Sequence, residues 1–225
     1  MKQTYSKWAV PAAVMALSLT AFGAFHNPAT HAQSPAPAVA DATVPTTGTW
    51  VIDPAHTNVN FGIRHMGIST VRGRFDDVAG TIVADAENPE KSSVQVTIKT
   101  ASINTGIAAR DNHLRSADFF DAAKYPEITF MSTRVEKRAY GDFVARGDLT
   151  MHGVTRPIAL VFTVNGPIKD ARAGGRFGAE TRVRLNRQDY GIQYNQVLDN
   201  GALSVGNEVD VTISLEATPA KPAAS

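Results

Sequence analysis

Four histidines could support metal binding or acid–base catalysis in the folded part of this sequence: His56, His65, His113 and His152. Zinc sites usually draw at least two ligands from one short motif, and the sequence contains neither His-Glu-x-x-His nor His-x-His. The four histidines are instead scattered over separate predicted elements. We therefore predict no metal site, and we interpret His152, which precedes a glycine, as part of a turn.

Nucleophilic catalysis also lacks a motif. The chain has no cysteine and no Gly-x-Ser-x-Gly elbow, and the strand–turn–helix context that this elbow requires is absent. Asp53, Asp111 and Asp118 are scattered, and short acidic side chains commonly cap turns and helix ends. The residue types that could do chemistry therefore point to no particular reaction.

The elements that would position these residues are mostly strands. Val59, Phe61, Ile63 and His65 alternate with polar residues, so they are predicted to share one inward face of a strand. Repetition of this pattern, with one solvent-exposed face per strand, indicates a closed antiparallel barrel or a sandwich. Strands are predicted at residues 49–52, 57–66, 69–75, 78–84, 94–105, 127–137, 143–151, 158–165, 176–186 and 208–217.

Residues 107–121 are the exception to the strand pattern. Residues 108–116 suit a short helix, in which Asp111 and Arg115 are four apart and can pair for about 0.2–0.5 kcal/mol. Phe119 and Phe120 follow and need apolar cover. We predict that this segment forms a lid or plug across one end of the barrel. Turns are predicted at 88–89, 140–142, 165–167 and 174–175.

The first 32 residues have the order of a secretory signal peptide. Lys2 and Lys7 precede a long apolar stretch, and Thr30 and Ala32 supply the small residues of a cleavage site after Ala32. An uncleaved membrane anchor is the alternative, because the apolar stretch is long for a signal peptide. Residues 33–47 and 219–225 are rich in Ala and Pro and are interpreted as spacers around a domain at 48–218.

Composition narrows the class of protein. Removal of Lys2 and Lys7 leaves 20 Lys and Arg against 21 Asp and Glu, so nothing suggests a nucleic-acid footprint. The absence of cysteine excludes disulfides and thiolate metal sites. An exported domain of this size can rely on its core, and the bacterial periplasm is the predicted compartment.

Aromatic residues concentrate on the strands and beside the predicted lid. An eight-stranded barrel encloses just enough space for side chains or for one small ligand, so periodicity does not distinguish a filled core from a hollow one. The phenylalanines concerned are Phe61, Phe75, Phe119, Phe120, Phe130, Phe143, Phe162 and Phe177.

Several segments, in the same order, resemble the YceI-like family of periplasmic polyisoprenoid-binding proteins. Thr57 stands where serine is usual and Tyr190 where phenylalanine is common, which does not weaken the match. The segments are Ile52–His56, Val59–Phe61 with His65, Val71–Phe75, Thr105–Gly106, Arg110–Asp121, Tyr125–Pro126, Ile128–Phe130, Gly147–Pro157 and Asn186–Ile192.

The resemblance implies an all-β fold, an eight-stranded antiparallel lipocalin-like barrel whose apolar channel holds a polyprenyl or other long-chain lipid. It implies no enzyme activity, no metal and no resident cofactor other than such a lipid, a quinone included. Alternation then supplies the candidate lipid-binding residues: Val59, Phe61, Ile63, His65, Ile98, Phe119, Phe120, Phe130, Leu160, Phe162, Phe177, Ala179 and Val183.

Three functions remain open at this point. The first is a periplasmic carrier or store of an isoprenoid, which would make transient contact with a membrane or membrane protein. The second is an enzyme acting on a lipid head group through His65 or His113 and a nearby acid. The third is a structural or stress protein with a filled barrel. The oligomeric state is also open, a dimer included.

Overall fold

The structure, a computed structural model, describes residues 45–138, 142–169, 171–199, 201 and 203–221. This part of the chain is built mainly of strands, with one α-helix, α1 (Ala108–Arg115). The strands are β1 (Gly48–Ile52), β2 (Asn58–His65), β3 (Ser69–Phe75), β4 (Val78–Ala84), β5 (Ser93–Lys99), β6 (Ile103–Asn104), β7 (Glu127–Lys137), β8 (Asp142–Met151), β9 (Val154–Ile168), β10 (Arg176–Asn186) and β11 (Val205–Pro219).

The strands form one antiparallel sheet that closes on itself. β1 pairs with both β4 and β11, and β2 pairs with the preceding part of β11, so β1 and β2 together form one strand of the barrel. β3 and β4 likewise form one barrel strand, and so do β5 and β6. With β7 to β11 this gives eight barrel strands, each paired with the next along the chain, in a closed up-and-down barrel. The predicted fold class is confirmed.

The alternation predicted for the strands is also observed. Along β10, Phe177 and Ala179 are buried, whereas Arg182 and Arg184 are exposed. The interior is sealed near the start of β10 by an edge-to-face contact between Trp50 and Phe177, whose ring centroids are 4.9 Å apart. Aromatic pairs of this geometry stabilise a core beyond the area they bury.

The segment around α1 covers the opposite end of the barrel, as predicted. Phe119 is 8% exposed, and the ring of Phe120 meets that of Phe75 edge-on at 5.8 Å. Because these rings pack against the inward residues of the strands, the segment is part of the core as well as a cover.

The predicted ion pair between Asp111 and Arg115 is wrong. Asp111 is buried and accepts hydrogen bonds from the backbone N–H and the hydroxyl of Thr105, at 2.8 and 2.5 Å. Arg115 donates to the carbonyls of Ala101 and Ile103, at 2.7 and 2.8 Å. Both side chains therefore tie α1 to β6 and to the residues next to it. Hydrogen bonds to buried backbone groups stabilise the fold more than a weak ion pair on the helix surface would.

Two turn predictions have opposite outcomes. His152 and Gly153 join β8 to β9 with φ of 52° and 74°, the two positive values that a type I′ hairpin turn requires, so the turn at His152 is confirmed. The turn predicted at 165–167 is wrong, because these residues lie inside β9. The register with β10 shifts there, and Gly166, at φ 94°, accommodates the irregularity within the strand.

The predicted signal peptide at 1–32 and most of the spacer at 33–47 lie outside the described residues. Pro45 is buried, and the carbonyl of Thr46 accepts a hydrogen bond from the Trp50 indole at 3.1 Å. Pro219, assigned to the terminal spacer, lies in β11 opposite Trp50. Within the described residues, no helix has the length and apolar character needed to cross a bilayer.

Candidate functional site: an apolar cavity along the barrel

An elongated cavity of about 200 Å³ runs inside the barrel. For comparison, an engineered apolar cavity of about 150 Å³ is large enough to bind benzene. On β9, cavity-lining side chains recur from Ile158 to Val164, which corresponds to roughly 20 Å of strand. The lining is almost entirely aliphatic and aromatic, and Thr57, Thr129, Thr181 and Ser92 are its few hydroxyl side chains.

The burial of the lining residues shows that the barrel interior is not filled. Val96, Ile98, Leu160 and Ile213 face the interior and line the cavity, yet each is only half-buried. In a filled core, residues at such positions lose nearly all of their accessible surface. The surface that these side chains retain faces the cavity, so the question that periodicity left open is answered in favour of a hollow barrel.

Eight of the thirteen candidate lipid-binding residues line the cavity, and three others lie at the α1 end. Phe61, Phe119 and Phe120 pack in the core there, without lining the cavity, and Ile63 is half-buried on β2. Those that line it are Val59, Ile98, Phe130, Leu160, Phe162, Phe177, Ala179 and Val183.

The inward placement predicted for His65 is wrong, because its side chain is exposed. His65 is the last residue of β2 before the hairpin turn, and it pairs with Ser69 and Val205. The register with β11 shifts just there, and β3 pairs with β6 only at its far end. Alternation continues to the end of the strand, but no packed layer covers this part of the hairpin.

Several lining residues were not among the candidates. Most lie on strands whose alternation was visible, such as Ile82 on β4, Ala145 on β8 and Leu215 on β11. Extending the inward pattern to every strand would have found them. Pro45 had no such signal, because it lies in a segment without periodicity and reaches the cavity only through the path of the chain before β1.

The four histidines do not come together, and none of them lines the cavity. His113 contacts Asp118 at 2.8 Å on the outside of the lid, and its ring meets those of Phe119 and Tyr194 edge-on. His152 contacts the Tyr190 carbonyl at 3.1 Å and the Tyr125 ring. These contacts give both rings structural roles at the α1 end.

The family model for the YceI-like domain matches residues 50–217, which is nearly the whole barrel. The chain belongs to the YceI-like family. Protein YceI of Escherichia coli O17:K52:H18 is 43% identical over 166 residues, covering 74% of this chain and 83% of that protein.

Two solved structures share the fold of this YceI-like chain. Burkholderia cenocepacia BcnA superposes with a TM-score of 0.66 at 22% identity, covering 74% of this chain and 99% of BcnA. A polyisoprenoid-binding domain from Saccharophagus degradans, implicated in plant cell wall breakdown, superposes with a TM-score of 0.59 at 19% identity, covering 76% and 98% of the two chains. At these identities the likeness concerns the fold.

A charged cluster lies outside the cavity of the YceI-like barrel, where β1 leads into β2. Asp53 Oδ2 lies 2.7 Å from the guanidinium of Arg176 and 2.9 Å from His56 Nδ1, and the same guanidinium lies 2.6 Å from Glu216. Arg176 first, and then His56, lower the pKa of Asp53 from 3.8 to about 2. Asp53, His56 and Glu216 are close enough to share a cation, and the guanidinium of Arg176 lies among them.

Replacing Asp53 by asparagine should lower the free energy of unfolding by about 1–2 kcal/mol at neutral pH, a range discounted because the pair is partly exposed. Since the folded pKa is depressed, this contribution is present above the unfolded pKa of 3.8 and is lost as the pH falls through about 2. Urea titrations of both proteins at about pH 5 and about pH 2 should therefore show a difference that shrinks with acid.

Asp148→Asn is the matched control, because Asp148 is exposed on β8 and the change removes the same charge. It should alter the stability by less than about 0.5 kcal/mol at either pH. A loss for Asp53→Asn that does not change with pH would contradict the electrostatic explanation.

Proposed function

We propose that this protein binds a long-chain isoprenoid or related lipid, a quinone included, inside its barrel and serves as a periplasmic carrier or store. The observation that carries the proposal is the hollow interior, whose inward side chains are apolar and half-buried around the cavity. Family membership and the likeness to a polyisoprenoid-binding domain support the class of ligand. The predicted signal peptide supports the compartment.

The energetics of a lipid in this cavity suit reversible binding. Each methylene transferred from water to an apolar site contributes about 0.8 kcal/mol. Measured affinities nevertheless saturate near −18 to about −21 kcal/mol, and the competing location of a lipid is a membrane rather than water. Transfer of the lipid from a bilayer to the barrel therefore gains much less free energy than transfer from water, as the reversible exchange of a carrier with a membrane requires.

We further propose binding without turnover, and without a metal or resident cofactor besides the lipid. The residues around the cavity are aliphatic, aromatic and hydroxyl side chains, with the exposed Glu180 at its margin. This set offers no adjacent nucleophile and base, which hydrolytic chemistry on a head group would need. Asp118, the acid beside His113, is part of the lid segment and does not line the cavity.

The direct test is mass spectrometry of an organic extract of the purified protein. Protein from a bacterial host is expected to release one class of long-chain lipid at about one molecule per chain, because the cavity inside the barrel is one elongated space. Delipidated protein should then take the same lipid back from vesicles. Protein that carries no lipid and takes up none would overturn the proposed function.

A further inference from the structure

Strands β9 and β10 are paired along only about half of the length they share. Their last paired residues are Thr181 and Phe162, although β9 begins at Val154 and β10 continues to Asn186. On their other sides both strands stay paired throughout this stretch, β9 with β8 and β10 with β11. The barrel wall therefore has a slot between residues 154–161 of β9 and residues 182–186 of β10.

Side-chain hydrogen bonds close the slot at both ends. At one end the hydroxyl of Thr181 donates to the carbonyl of Val161 at 2.7 Å, in place of a hydrogen bond between the two backbones. At the other end the Nε–H of Arg156 donates to the carbonyl of Asp189 at 3.2 Å. From Val161 to Arg156 the strand rises roughly 16 Å, which sets the length of the slot.

Pro157 accounts for one of the backbone hydrogen bonds that are missing along the slot. The Val161 carbonyl points towards β10, and the backbone hydrogen-bonding groups of a strand alternate in direction with a period of two. The backbone nitrogen and carbonyl of Ala159 and of Pro157 therefore also point towards β10. Proline has no N–H to donate, which is why it is confined to strand edges. On its other side β9 keeps the register with β8, where Pro157 lies opposite Asp148.

The slot lies between cavity-lining side chains on the inner face of the barrel and exposed side chains on its outer face. Ile158 and Leu160 on one strand and Val183 and Leu185 on the other line the cavity and are half-buried. The outward residues beside them, Pro157, Ala159, Arg182 and Arg184, are exposed. Where the ladder stops, the facing edges of the two strands offer backbone donors and acceptors, whereas the cavity behind them is apolar.

We propose that this slot is the lateral entrance to the cavity and the site where the polar end of a bound lipid rests. The inference builds on the proposed function and specifies the ligand as a single-chain lipid with a compact end group that forms hydrogen bonds. Its chain lies among the inward side chains, and its end group bonds to the strand edges, which avoids burying a polar group without a partner.

A reducible cross-link across the slot tests the entrance, and the absence of cysteine makes it specific. Ala159→Cys with Arg184→Cys places two exposed thiols on opposite sides of the slot, to be joined by a bis-methanethiosulfonate linker. Gln95→Cys with Met131→Cys is the control, because these exposed residues lie opposite each other in the intact ladder between β5 and β7 and do not line the cavity. Both variants are loaded with dansyl-labelled undecanoic acid before linking.

Transfer of this probe to phosphatidylcholine vesicles is followed by fluorescence. Linking across the slot should slow transfer about tenfold or more, reduction should restore it, and the control link should leave it unchanged. Bound probe whose transfer is unchanged by the slot link would overturn the entrance alone. Unlinked protein that binds no probe would overturn the proposed function as well.

The polar-end site has a separate readout. Hexadecanol and hexadecane, presented in the same vesicles, compete for the probe-loaded cysteine-free protein. Hexadecanol should displace the probe at a several-fold lower concentration, because only the alcohol can bond to the strand edges. Equal displacement by the two molecules would overturn the polar-end site while leaving the proposed function intact.

Discussion

Replacing Arg187 with alanine is expected to lower the free energy of unfolding by about 3 kcal/mol. Arg187 is 4% exposed, and its guanidinium donates to the carbonyls of Gly206 and Ile192, at 2.8 and 2.7 Å, and to the Asn207 side chain at 3.2 Å. It thereby ties the end of β10 to the start of β11. Alanine would leave the buried carbonyl of Ile192 and two half-buried acceptors without this donor and would open a cavity.

The unfavourable burial of the Arg187 charge limits the expected loss of stability. Burial lowers the pKa of Arg187, which means that the protein holds this cation in an unfavourable environment. In the described part of the chain, no carboxylate forms an ion pair with it. Removing the charge relieves that cost, so the expected loss is smaller than the sum of the lost hydrogen bonds and packing.

Arg187→Lys and Arg182→Ala complete the series. A lysine ammonium is a single point and cannot reach all three acceptors at once, so Arg187→Lys should lose an intermediate amount of stability. Arg182 is exposed on β10, and Arg182→Ala should change the stability by less than about 0.5 kcal/mol. Urea titration measures all three, and similar losses at positions 187 and 182 would show that the buried network does not stabilise the fold.

The strands were predictable because their signal is local. Each strand alternates between an apolar and a polar face, and short turns join neighbours, so the pattern indicates a barrel or a sandwich, and the resemblance to the YceI-like family implies the barrel. The prediction is wrong where tertiary pairing determines the outcome. His65 continues the pattern but has no layer over it, and Gly166 lies in a strand irregularity rather than a turn.

The site was less predictable than the fold. Alternation identifies inward residues such as Phe130 and Phe162 but is the same for a filled and a hollow barrel, because volume depends on how all the strands close. The slot depends on which strands become neighbours. Pro157 was its one visible trace, and a proline in a strand indicates an edge only once the expected partner is known.

Replacing Ala179 with phenylalanine should weaken lipid binding strongly while leaving the fold stable. Ala179 lies on β10 opposite Val164 and Leu215, and its methyl group lines the cavity. The added ring can occupy space that the lipid chain would otherwise fill. We expect the affinity for dansyl-labelled undecanoic acid to fall about tenfold or more, with a change in stability below about 1 kcal/mol.

Ala217→Phe is the matched control for this prediction. Ala217 is fully buried on β11 opposite Ile52 and Phe177, and it does not line the cavity. The same ring must there push packed neighbours aside, which costs about 1–3 kcal/mol. Fluorescence titration with the probe and urea titration of both variants separate the two cases. If Ala179→Phe lost as much stability as Ala217→Phe and the parent carried no lipid, the barrel would behave as a filled core and lipid binding would have no site.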